Sequence, residues 1–315
     1  MSGPSGTGKT LTIRAFLHEF YEMLRRLTGS DDIGSRVIRV KSADLLSQWF
    51  GVTDKNIDQL FDDIRALASQ TFEVDGVPRR LPVVVILEEV ESLSRRRGEA
   101  DGAIYDRVLG MLLQRLDDPV EDIGQLPLIF ISTSNRPELV DTAMWRRLGG
   151  RHAHFGRLNR EGFRAVLSKK LKAHYPYLSN NGTPVEETRA RVIDQVVNWL
   201  FSPNNDADGL VELTLRDGTK LIKHRRDFLT GAVVEQGVSN CIDHVVFAAD
   251  ETSDPRVGLD ASNLIESLTD VIDGLASNLT PQNAADYVDL PEHSAVAHVR
   301  HLSGADSGRL FRLAR

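Results

Sequence analysis

The chain has 315 residues, 41% of them hydrophobic and 26% charged, which is the balance of an ordinary globular protein of about two domains. Its 38 basic and 45 acidic residues leave a net charge of -7 without any lysine or arginine block, so nucleic acid is excluded as the main ligand. A lone cysteine, Cys241, fits a reducing cytoplasm, and neither a membrane-length apolar run nor a signal-peptide pattern is present, so no membrane partner is expected.

In chain order, a helical pattern runs from Gly8 to about Leu27, followed by an apolar strand, Val37 to Val40. A second helical pattern spans Lys55 to Ala68, with Ile57, Leu60, Phe61, Ile64 and Leu67 on one face. The run Val83-Val84-Val85-Ile86-Leu87 is too short for a helix and too unbroken for a half-exposed strand. It reads as a strand buried on both faces, as in a parallel sheet. A helix around Tyr105 to Leu116 leads to another buried run, Leu128 to Ile131. Strands alternating with helices predict an α/β domain over 1–157, a parallel sheet with helices on both faces. His152 and His154 read as positions on a half-exposed strand rather than as a metal pair.

Residues 158–302 have a different character and are read as a smaller, mainly helical domain with one hairpin, 210–224. Val211, Leu213 and Leu215 alternate with polar residues, and Asp217-Gly218 turns the chain into Lys220 to His224. A helix carrying Leu264, Leu268, Ile272 and Leu275 follows, then a last strand, Ala295 to Leu302. The segment 303–315 is small, polar and basic, and reads as a disordered tail.

Two segments carry the chemistry. Gly3-Pro4-Ser5-Gly6-Thr7-Gly8-Lys9-Thr10 fits G-x-x-x-x-G-K-[ST]. Its glycines let backbone N–H groups converge on phosphate oxygens, Lys9 reaches the β- and γ-phosphates, and the Thr10 hydroxyl ligates Mg²⁺. The candidate ATP-contacting segment runs on to Leu11, where the helix adds its N-terminal dipole. The second segment is Val84 to Leu87 ending in Glu88-Glu89, four apolar residues and two carboxylates. A buried strand thereby delivers acids to the sheet edge where nucleotide sits. Glu88 is expected to hold Mg²⁺ through its water shell and Glu89 to polarise the attacking water. The first acid of such a pair is usually aspartate; the extra methylene of Glu88 shifts the carboxylate by about one bond length, and misplacements near 1 Å can cost about a hundredfold in rate. Beyond the next strand, Asn135 is placed to orient water. Arg146, Arg147 and Arg151 are candidates to reach a neighbour's γ-phosphate.

With these residues together, the chain resembles the AAA subfamily of AAA+ ATPases over roughly residues 3–245. The resemblance implies a homohexameric ring that hydrolyses Mg-ATP to unfold or remodel polypeptides. It maps Trp49, Phe50 and Gly51, within Leu45-Leu-Ser-Gln-Trp-Phe-Gly51, to the pore loop that grips substrate. Val52 stands where the family usually has glutamate. The order of hairpin, Asp227-Phe-Leu-Thr-Gly-Ala232, helix and last strand is similar to the proteasome-associated ATPases of actinobacteria, known as ARC or Mpa. That likeness implies that Gly231 and Ala232 lie near the adenosine. The stretch from Ser47 to Ser92 also resembles ATPases that remodel HORMA-domain proteins, which rank second.

The coiled coil, the OB-type domain and the Gln-Tyr-Leu ending of the proteasome-associated family have no counterpart in these 315 residues. A proteasome core therefore stays open as a partner. A P-loop joins a buried strand to a helix, yet only Met1 and Ser2 precede Gly3. The expectation is a truncated reading, with the strand and part of the adenine pocket encoded upstream. One rival is a nucleotide-dependent scaffold or switch with little hydrolysis, kept open by Glu88 and Val52. Another is a small-molecule kinase, disfavoured by Asn135, the arginines and the pore-like loop.

Overall fold

Val83, Val84, Val85 and Ile86 are fully buried and Leu87 is 2% exposed, the environment of a strand covered on both sides. In the computed structural model, which describes residues 1–45, 52–93, 102–117, 126–148, 150–178, 183–202, 209–252, 258–291 and 294–302, the chain divides into two compact units. One comprises Met1–Gly3 and Lys9–Phe155, the other Pro4–Gly8 and Gly156–Arg315.

The first unit contains α1 (Lys9–Thr28), β1 (Val37–Lys41), α2 (Val52–Ala68), β2 (Thr71–Val74), β3 (Val77–Arg80), β4 (Val83–Glu88), α3 (Gly102–Asp117), β5 (Leu128–Ser132) and α4 (Thr142–Leu148). β1, β4 and β5 form a parallel sheet in that order, with Val37 opposite Val84 and Val83 opposite Leu128. Side chains alternate across a strand, so β4 serves two cores. Val83, Val85 and Leu87 pack with Ile57, Phe61 and Ile64 of α2, Val108 and Leu112 of α3, and Met144 of α4. Val84 and Ile86 pack on the other face with Ile13, Phe20 and Leu24 of α1. Burying each such side chain contributes about 1.5–3 kcal/mol, so β4 anchors both layers.

β2 and β3 form an antiparallel hairpin that the helix-and-strand alternation does not anticipate. Asp75 and Gly76 have φ of 54° and 75°, the positive pair of a two-residue primed turn. The hairpin packs Val74 and Phe72 against the α1 side of the core.

The second unit contains α5 (Arg160–Lys170), α6 (Val185–Leu200), β6 (Val211–Leu215), β7 (Lys220–Lys223), α7 (Gly231–Thr252), α8 (Ala261–Ser277), α9 (Ala284–Tyr287) and β8 (Val296–His301). The expected hairpin is β6 with β7, and β8 adds to the other side of β6, with Val211 opposite His301. A two-stranded hairpin is marginal alone, and the third strand makes β6 central. The turn is a three-residue one: Gly218 N–H donates to the Leu215 carbonyl at 3.0 Å, and Gly218 takes φ of 87°. Val211, Leu213 and Leu215 face a core built from α5, α6, α7 and α8. No helix among the described residues is long and apolar enough to cross a membrane.

Candidate functional site

The chain enters the glycine-rich loop as strand. Ser2 bridges in parallel to Ser134 on one side and His154 on the other. Gly3 N–H donates to the Ser134 carbonyl at 3.1 Å, and Phe155 N–H to the Ser2 carbonyl at 2.7 Å. This segment thus runs beside the strand that leads to Asn135; β4 and β5 pair directly with each other. The buried Ser2 hydroxyl lies 2.7 Å from His152 Nε2 and 3.4 Å from His154 Nδ1. His152 also packs edge-on against Trp145, and no metal-holding cluster occurs among the described residues.

Gly3, Gly6 and Gly8 all have positive φ, at 137°, 77° and 104°. A Cβ on Gly3 would sit 2.1 Å from the Phe155 carbonyl oxygen, a backbone atom that cannot step aside. Gly3→Ala is therefore expected to lower the melting temperature by several degrees, because clash and left-handed strain add. A melting curve matching that of the parent chain would contradict this. A Cβ on Gly6 would meet Ala232 Cβ at 2.9 Å and Thr230 Oγ1 at 3.0 Å. Ala232 N–H also donates to the Gly6 carbonyl at 3.3 Å. Gly231 and Ala232, at the start of α7, thus touch the loop itself. A Cβ on Gly8 would meet nothing within 4 Å, and Thr7 Oγ1 closes the turn on the Pro4 carbonyl at 2.8 Å.

Lys9, the first residue of α1, is buried, and its Nζ donates to the Gly3 carbonyl at 2.6 Å. Burial lowers its pKa below the ordinary lysine value, and the negative charge of Glu91 opposes that shift. Thr10 and Leu11 are exposed on the first turn.

The acids stand at the end of β4. Glu88 accepts a two-pronged ion pair from Arg39 of β1, Nε to Oε2 at 2.9 Å and Nη2 to Oε1 at 2.7 Å. The hydrogen bond to Glu88 raises the Arg39 pKa. Glu89 is exposed and takes φ of 56°, a left-handed conformation that costs about 1 kcal/mol or more without glycine. Val90 N–H donates to the Thr133 carbonyl at 3.1 Å and Thr133 N–H to the Leu87 carbonyl at 2.9 Å, which zips the ends of β4 and β5 together. Just beyond, Asn135 N–H donates to Glu91 Oε1 at 3.0 Å. Glu91 Oε2 is buried with no hydrogen-bond partner among the described residues. Glu91 and Arg39 are the site neighbours that sequence reasoning missed. Glu91 was visible as a third acid after Glu88-Glu89, whereas Arg39 depends on strand register.

Arg146 and Arg147 are exposed on the last turn of α4, Arg147 Nη1 reaching the Ala143 carbonyl at 3.3 Å, and Arg151 is exposed just beyond. Neither the Lys9–Gly3 hydrogen bond nor the Asn135–Glu91 hydrogen bond involves these arginines. Trp49, Phe50 and Gly51 lie outside the described residues.

A parallel sheet with a glycine turn entering a lysine-led helix, and acids and an asparagine on neighbouring strand ends, is a P-loop nucleotide-binding domain. Residues 1–156 match the family described as "ATPase family associated with various cellular activities (AAA)", and this half of the chain is an AAA ATPase domain. Similar over more of its length is a protein named "Proteasome-associated ATPase" from Saccharomonospora viridis, 28% identical over 275 residues, 85% of this chain and 43% of that protein. One named "AAA ATPase forming ring-shaped complexes" from Corynebacterium efficiens is 32% identical over 271 residues, 84% of this chain and 45% of that protein. A "Proteasome-associated ATPase" from Streptomyces scabiei is 25% identical over 328 residues, 98% of this chain and 52% of that protein. The chain thus spans about half the length of the curated relatives it matches.

Proposed function

We propose that the chain is the motor part of a ring-forming protein unfoldase or remodeller that hydrolyses Mg-ATP. The observation that carries this reading is the joining of the β4 and β5 ends, with Glu88 and Glu89 at the end of one strand, Asn135 just beyond the end of the other, and Glu91 linking Asn135 electrostatically to Lys9. In this reading the backbone of Gly3, Pro4, Ser5, Gly6, Thr7 and Gly8 cradles the phosphates, with Leu11 beside them on α1. Gly231 and Ala232 flank the adenosine. Lys9 holds the β- and γ-phosphates, Glu89 polarises the attacking water and Asn135 orients it. Arg146, Arg147 and Arg151 are assigned to reach a neighbouring subunit's nucleotide, a role their exposure supports.

Thr10 and Glu88 would hold Mg²⁺, for which a hydroxyl and a carboxylate are the right hard oxygen donors. The metal, when bound, supplies charge neutralisation on the phosphates. The relatives' names, ring-shaped complexes and proteasome-associated ATPase, support a homohexamer and leave a proteasome core as a candidate partner. Trp49, Phe50 and Gly51 are assigned to grip the polypeptide. The single, buried Cys241 supports a cytoplasmic location.

One observation favours a second reading, a nucleotide-driven assembly switch with little turnover: the Glu88 carboxylate is already engaged by Arg39. Steady-state hydrolysis of ATP separates the two readings. The unfoldase reading expects Glu89→Gln to keep nucleotide, lose turnover and retain an unfolded polypeptide. Adding Trp49→Ala to that variant should release the polypeptide with no loss of thermal stability. A sharply lowered melting temperature for Trp49→Ala would instead mark a core tryptophan, whose truncation costs about 3–5 kcal/mol. An inactive parent chain that still assembles with ATP would favour the switch.

A further inference from the structure

The fork between Arg39 and Glu88 plays no part in the phosphate chemistry above, yet it occupies the carboxylate assigned to the metal. Both oxygens are engaged, at 2.9 and 2.7 Å, in the two-pronged geometry that makes arginine–carboxylate pairs strong. Glu88 is 12% exposed and Arg39 46% exposed, so the acid is enclosed while the guanidinium borders solvent. Register explains how they meet. Arg39 lies opposite Ile86, so Arg39, Ile86 and Glu88 share the face that carries α1, and the arginine reaches diagonally along it. The longer arm of glutamate brings its carboxylate out to that neighbouring strand. A guanidinium and a divalent cation on one carboxylate repel each other, so the fork has to loosen before Glu88 can serve a metal.

We propose that Arg39 sets the magnesium requirement of this site, acting as a positioning residue that holds Glu88 until metal and nucleotide arrive together. The inference rests on the assignment of Glu88 to Mg²⁺ in the proposed function. It makes Mg²⁺-dependent binding sensitive to Arg39 while Mg²⁺-free nucleotide binding is left nearly unchanged.

The test is equilibrium binding of a fluorescent ATP analogue by the whole chain, titrated with free Mg²⁺ and repeated with chelator. Arg39→Gln should lower the half-saturating Mg²⁺ concentration about fivefold, the scale of a partly exposed charged pair, while chelator-side affinity moves by less than about twofold. Arg39→Lys keeps the charge and loses the fork, so it should fall between the parent and Arg39→Gln, and it stands in if the glutamine variant melts early. An Mg²⁺ requirement that is unchanged or raised in both variants overturns the proposal. A parent chain that binds no analogue with or without metal overturns the underlying nucleotide-site reading instead.

Discussion

Replacing Lys9 by alanine is expected to weaken nucleotide binding by at least about a hundredfold, while the fold survives. The side chain is buried, and its Nζ is held by the Gly3 carbonyl at 2.6 Å, within the loop proposed to receive the phosphates. A cation already stripped of water loses little on meeting a phosphate, and charge-assisted hydrogen bonds of that kind are each worth about 1.5–3 kcal/mol. Alanine removes one such donor and its charge, which sets the hundredfold scale. The pH dependence has a definite sign. Burial lowers the Lys9 pKa and Glu91 only partly restores it, so the charged form is given up earlier than in an ordinary lysine. Affinity should be full below that lowered pKa and fall as pH rises through it. Lys9→Arg, which stays charged, should lose the alkaline fall even if its absolute affinity is poorer. Unaltered affinity in Lys9→Ala would remove the loop from the nucleotide site.

Much of the first unit was legible because its signals are local. The run Val83 to Leu87 has no polar residue for a solvent face to claim, so burial on both sides followed directly, and the glycines of the loop announce positive φ by composition. The hairpin at Asp75-Gly76 was also legible, since aspartate-glycine between two short runs is a strong turn signal. It was missed because Thr71–Val74 and Val77–Arg80 are mostly exposed or half-exposed. The alternation of Phe72 and Val74 with Thr71 and Glu73 is only four residues long and Val77–Arg80 continues none of it, and the expected helix-strand rhythm had no place for an antiparallel pair.

What stayed hidden depends on register and pairing. Arg39 looks like one polar position in a short strand, and only parallel pairing with β4 carries it to Glu88. The pairing of β8 with β6 joins residues as far as 90 positions apart, Val211 with His301, and nothing local to either strand specifies its partner. Glu89 carries a left-handed backbone that its residue type does not advertise. Such strain marks a position over-determined by its surroundings, here the zipped ends of β4 and β5.

Arg36 is the clearest case of a residue whose importance only the fold exposes, and Arg36→Met is expected to destabilise the first unit by about 3 kcal/mol, since buried acceptors left unpaired cost about 1–3 kcal/mol each. The side chain is fully buried. It donates to the carbonyls of Leu67 at 2.7 Å, Leu81 at 2.6 Å and Pro82 at 3.4 Å, and to Gln70 Oε1 at 3.1 Å. Its guanidinium stacks over Phe72, 5.2 Å from the ring centroid. The end of α2, the hairpin and the entry to β4 are thus all stitched to one cation. Burial lowers its pKa, an unfavourable contribution that methionine would remove, so two effects oppose. The carbonyls decide the sign, because they belong to the backbone and remain in place whatever residue stands at 36. Methionine fills similar volume and offers them nothing. The backbone of Arg36 also binds α1 and β4, its N–H donating to Tyr21 Oη at 2.9 Å and its carbonyl accepting from Val84 N–H at 2.9 Å. Loosening this residue should therefore slacken β1, and with it the Arg39 fork three residues on. Urea unfolding measures the first effect, and the Mg²⁺ titration described for Arg39 measures the second. A loss below about 1 kcal/mol would mean that the carbonyls find water or new partners once the guanidinium is gone.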